Sequence, residues 1–115
     1  MESLYKLLYK IKENPALFFG GRETVELLSC SIGGYLQRQS EIDGKLYGEY
    51  EFAKFQDFVQ KKYNVISSQS WHRIIDFYSS SDREAFETFY KLLDEFLKNR
   101  HDTHTPEIPP KNAPV

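Results

Sequence analysis

The chain has 115 residues, a formal net charge of −2, one cysteine and 16% aromatic residues, with nine Phe and eight Tyr. That length is one domain's worth and supports a single core without metal or disulfide, and the lone Cys30 excludes an intramolecular pair. No basic stripe of the kind duplex nucleic acid selects is visible, and no apolar run approaches the roughly eighteen residues of a membrane span.

The opening MESLYKLLYKIKEN mixes lysines through its apolar positions. A secretory leader keeps a basic start apart from an apolar stretch, so the expected location is the cytoplasm. Leu4, Leu7, Leu8 and Ile11 share one helical face and predict a helix from Glu2 to Glu13. Asn14 precedes Pro15 and is pushed out of the helical region, which ends that helix. Leu17, Phe18 and Phe19 lie between Pro15 and Gly20-Gly21 and suggest a short buried connector closed by a sharp reversal.

A second helix is predicted from Arg22 or Glu23 to about Ser40, with Val25, Leu28, Ile32, Tyr35 and Leu36 on one face. Gly33-Gly34 inside it costs roughly 1 kcal/mol per glycine against alanine. Close approach of another helix or ring to bare backbone is the first explanation, and a kink the second. The stretch EIDGKLYGEY, 41–50, carries turn signals at Asp43-Gly44 and Gly48 and is the longest internal connection. Phe52, Phe55, Phe58 and Val59 begin a third helix, which Asn64 closes in the left-handed conformation.

Trp71, Ile74, Ile75 and Tyr78 recur at helical spacing in a fourth helix, capped by Ser67 or Ser68 and broken by Ser79-Ser80-Ser81. Ser81 and Glu84 fit a capping box, with Asp82 in the first turn, and start a fifth helix. Its face is Phe86, Phe89, Tyr90, Leu93, Phe96 and Leu97, and it should fray near Asn99. From Arg100 the chain holds four of its five prolines and reads as a disordered tail.

Little in this pattern points to chemistry. Cys30 has only His72 as a candidate base, and a lone cysteine is more often a buried packing residue. His101 and His104 form HxxH, but two imidazoles do not make a structural zinc site. His72 reads as a partly buried, hydrogen-bonded histidine. The acid pairs Asp94-Glu95 and Glu49/Glu51 read as solvated, and no glycine motif for phosphate is present. No catalytic residue, cofactor or metal is expected. The exception to the packing readings is the 41–51 connection. Its Tyr47 and Tyr50 resemble interface anchors, and Glu41, Asp43, Glu49 and Glu51 outnumber Lys45. The opposing reading is a solvated loop whose tyrosines fold back on the core.

Three segments together carry a resemblance: Lys10 to Gly20 (KIKENPALFFG), Gly34-Tyr35-Leu36, and Ser70-Trp71 with Ile74-Ile75 before Glu84 to Phe96 (EAFETFYKLLDEF). In these, from about Leu4 to Leu97, the chain resembles small bacterial all-α proteins that look like immunity proteins of toxin–immunity systems. The resemblance implies that the protein binds and neutralises a cognate toxin domain. It assigns no contact residue, because immunity surfaces differ with their toxins.

These readings together give an all-α single domain of about five helices over 1–99 and a disordered tail over 100–115. The expected function is non-enzymatic protein binding, with no nucleic acid and no membrane involved. The candidate contact residues are Asp43, Tyr47, Glu49, Tyr50 and Glu51. The alternative is a regulatory or scaffold subunit that acts through helical protein–protein contacts.

Overall fold

The structure is a computed structural model that describes residues 2–102. Its elements in chain order are α1 (Glu2–Glu13), α2 (Pro15–Phe19), α3 (Val25–Asp43), two 3-10 turns (Tyr47–Glu49 and Glu51–Lys54), α4 (Phe55–Tyr63), α5 (Trp71–Phe77) and α6 (Asp82–Asp102). No strand occurs among the described residues, and the fold is all-α. None of the described helices is long and apolar enough to cross a membrane.

Helix α1 buries Leu4, Leu8 and Ile11 as its spacing predicts, and Tyr5 with them. Proline at the first position of α2 loses no hydrogen bond that the helix would make, and Gly20 at φ 62° closes α2 with its N–H on the Ala16 carbonyl. The connector is not buried, contrary to expectation. Leu17 is 74% exposed and Phe18 43%, while Phe19 alone packs against the core. Three consecutive side chains on one helical turn point in three directions, so one of them can face inward.

Thr24 caps α3 by accepting from the Leu27 N–H at 3.1 Å. Val25, Leu28, Ile32 and Leu36 form its buried stripe. Gly33 and Gly34 lie on the opposite, exposed face. A Cβ built on either meets no atom within 4 Å, so the expected close approach to bare backbone does not occur. Alanine at each position is therefore expected to stabilise the fold by about 1 kcal/mol, through lost freedom of the unfolded chain. Thermal denaturation of Gly33→Ala and Gly34→Ala checks this, and a loss of stability from either would contradict it.

Asn64 ends α4 at φ 56°, as its side chain predicts. Helix α5 starts at Trp71, later than expected, with Ser70 at its cap position. Ser67 instead accepts from the Gln69 N–H at 3.0 Å, a local turn that competes with helix. At the start of α6 the box is offset by one residue. The Glu84 N–H donates to Ser81 Oγ at 3.1 Å, but the Glu84 carboxylate reaches back to the N–H and hydroxyl of Ser80. Those two donors hold the Glu84 pKa below the ordinary carboxylate value. The contact thus contributes fully above the ordinary glutamate range, about pH 4.3, and is lost as pH falls through the lowered folded-state value. Glu84→Gln is expected to flatten that part of the stability profile, and Ser81→Ala to cost about 1 kcal/mol at neutral pH.

Helix α6 is the common support, with α3, α4 and α5 all packed on it. It buries Phe86, Phe89, Tyr90, Leu92, Leu93 and Phe96 and continues to Asp102, past the expected end near Asn99. Helix α1 joins it where the Tyr90 hydroxyl donates to the Leu8 carbonyl at 2.6 Å. The tail expected from Arg100 lies outside the described residues from 103 onward. The buried tyrosines are all satisfied, since Tyr5 donates to Glu51, Tyr50 to Asp43 and Tyr90 to Leu8. A buried phenol without such a partner would cost about 1–3 kcal/mol.

Candidate functional site

Helix α3 runs three residues further than expected and ends at Asp43, where Gly44 (φ 75°) donates its N–H to the Ser40 carbonyl at 2.8 Å. The chain then turns through Lys45 and Leu46 into the first 3-10 turn. The Glu49 carboxylate accepts from the Leu46 N–H at 3.1 Å and fixes that turn from within. The connection is therefore an ordered corner with defined side-chain directions.

Its five candidate residues separate into two groups. Tyr50 is 3% exposed and donates its hydroxyl to Asp43 Oδ2 at 3.1 Å, so it closes the corner onto the core and offers no surface. Glu51 accepts from the Tyr5 hydroxyl and from Arg100, both at 3.0 Å, and ties α1 to the end of α6. Tyr47, Asp43 and Glu49 remain at the surface, with Tyr47 52% exposed.

The charge of the corner is smaller than its composition implies. Glu41 pairs with Arg38 at 3.3 Å and Glu51 with Arg100. Lys45 sits over the Tyr50 ring, 5.7 Å from its centre. Backbone dipoles add to what is left. The carbonyl end of a helix carries roughly half a negative charge, and α3 has no basic residue in its last turn. Glu41 and Asp43 at that end run against the dipole, so the corner focuses negative potential at a local cost in helix stability.

Two apolar side chains that sequence reasoning left aside complete the surface. Ile42 is 63% exposed and Leu46 73%. The signal for them was available, since Ile42 falls off the Val25–Leu28–Ile32–Leu36 stripe and Leu46 follows a helix-ending glycine.

No family model matches this chain, and neither a curated protein nor a solved structure does.

Elsewhere, a cleft of about 870 Å³ lies between the end of α1, the residues before α3 and the first half of α6. Lys12, Arg22, Arg83 and Lys91 line it against Glu23, Asp82, Glu87 and Asp94, so it favours no single ligand charge. Cys30 is exposed on α3, against the expectation of burial. No hydrogen bond joins it to His72 among the described residues. His72 is half-buried with its ring against Trp71, and burial lowers its pKa, with Arg73 adding to the effect. Among the described residues no three His, Cys, Asp or Glu side chains gather as metal ligands. The described side chains do not include His101 and His104.

A second exposed aromatic group lies at the end of α5. Tyr78 belongs by spacing to the Trp71–Ile74–Ile75 stripe, but it falls one residue beyond α5 and is 52% exposed. It stacks on Tyr63 at 4.9 Å, and Phe77 stands edge-on to it at 5.0 Å.

Proposed function

We propose that this chain is a non-enzymatic binding protein that recognises a protein partner through the corner at the end of α3. The observation that carries the reading is Ile42, Leu46 and Tyr47 exposed together in sequence at the negative end of a long helix. An apolar centre with an acidic rim suits a partner surface that is apolar in the middle and basic at its edge. The resemblance to immunity proteins of toxin–immunity systems makes a cognate toxin domain the favoured partner. Neutralisation would proceed by masking a surface the toxin needs, in the cytoplasm, with no covalent step and no cofactor.

Affinity capture from the source cells, with the full chain and with Leu46→Asp side by side, tests the proposal. The expected result is one protein retained in stoichiometric amount by the full chain and lost with Leu46→Asp. Equal retention by both would remove the corner from the interface. Circular dichroism and a denaturation curve confirm that the variant is folded, and a change at an exposed position should keep stability within about 0.5 kcal/mol.

A further inference from the structure

The face of α5 away from the core is distinct from the corner proposed above. Phe77 is 79% exposed, Tyr78 52%, and Ile66 fully so. A groove of about 560 Å³ lies here, lined by Val65, Gln69, Ile74, Tyr78 and Phe77 itself, with Arg73 and Asp76 also on its walls. The exposed Phe77 ring is thus one wall of the groove. Arg73 and Asp76 are exposed, three residues apart on α5, and neither side chain makes a hydrogen bond or ion pair among the described residues.

These features are self-complementary under a two-fold axis. Two copies of α5 laid antiparallel bring each Arg73 opposite the other copy's Asp76 and each Phe77 against the other copy's groove. Residue i meets j and j meets i, which is the defining property of an isologous contact. The Tyr63–Tyr78 stack holds the rings in place before contact, so little side-chain freedom is lost on docking.

We infer that the occupant of this face is a second copy of the same chain, in an antiparallel α5 pair closed by two Arg73–Asp76 contacts. Three large side chains supply roughly half of the about 800 Å² per partner of a standard interface. The dimer is therefore weak and concentration-dependent. It leaves the corner at the end of α3 open, and so holds whether or not a toxin is the partner there.

Sedimentation equilibrium of the full chain over a concentration series tests this. The expected mass rises from 13.6 kDa toward twice that value. Phe77→Asp is expected to hold the chain at the monomer mass with its circular dichroism unchanged. Arg73→Glu alone and Asp76→Arg alone each reverse two contacts and should weaken the dimer about tenfold per contact, while the double variant restores it. A full chain that stays monomeric throughout overturns the inference. So does a dimer indifferent to Phe77→Asp, and so does a double charge reversal that fails to recover what the single reversals lose. A monomer in which Phe77→Asp weakens capture of a different protein assigns the face to that protein and also overturns it.

Discussion

Phe55→Ala is expected to lower the stability of the fold by about 4 kcal/mol, the largest single loss available in this core. Phe55 is fully buried and touches more rings than any other aromatic side chain among the described residues. Phe52 stacks on it at 5.0 Å, and Trp71, Phe96 and Phe89 meet it edge-on at 5.4, 5.4 and 5.6 Å. Those neighbours come from the second 3-10 turn, α5 and α6, so one ring joins three elements. Truncation removes its transfer free energy and also leaves a cavity that four rigid rings cannot close. Edge-to-face pairs add about 0.5–1.5 kcal/mol each beyond the area they bury. Urea denaturation gives the number, and a loss below about 2 kcal/mol would mean that the rings repack. Phe77→Ala serves as the contrast, because Phe77 is exposed and its removal should cost less than about 0.5 kcal/mol.

The second large effect concerns binding and does not appear in stability. Tyr47→Ala is expected to weaken partner affinity by about 30-fold, near 2 kcal/mol, as a tyrosine anchor does at the centre of an interface. Tyr50→Phe and Glu51→Gln are the controls. Each removes an internal contact, the Tyr50 hydroxyl on Asp43 or part of what Glu51 accepts from Tyr5 and Arg100. Each is expected to cost about 1 kcal/mol of stability and to leave affinity within about threefold. Titration calorimetry with the captured partner separates the two groups. Equal losses for Tyr47→Ala and Tyr50→Phe would mean that the corner acts on binding through its folding alone.

The helical architecture was legible where a single periodic stripe met a local stop signal. Leu4, Leu8 and Ile11 before Pro15 define α1, and Asn64 ends α4 at the residue its side chain predicts. Ser81, Glu84 and the Phe86–Phe96 stripe define α6. Local rules were less secure where several residues offered the same signal. Any of three serines, Ser67, Ser68 and Ser70, can cap a helix, and the choice of Ser70 follows from where Trp71 must sit against Phe55 and Phe89. Two of the five candidate contact residues turn inward, and no local pattern could have said so. Glu51 is drawn inward by Tyr5 and Arg100, which lie 46 and 49 positions away in the chain. Tyr50 is fixed by Asp43 only because α3 runs on to that residue. Exposure of Ile42 was readable from the phase of the α3 stripe and that of Leu46 from its place after the helix-ending Gly44, and the acidic composition around them drew attention away from both.

A growth assay tests the corner and its partner most directly. The captured partner is expressed in cells together with the full chain or with the Leu46→Asp/Tyr47→Ala variant, both at matched soluble levels. The prediction is that the partner alone arrests growth, the full chain restores it, and the double variant does not. Growth unaffected by the partner alone would contradict the toxin reading, and equal rescue by both chains would contradict the assignment of the corner as the binding surface.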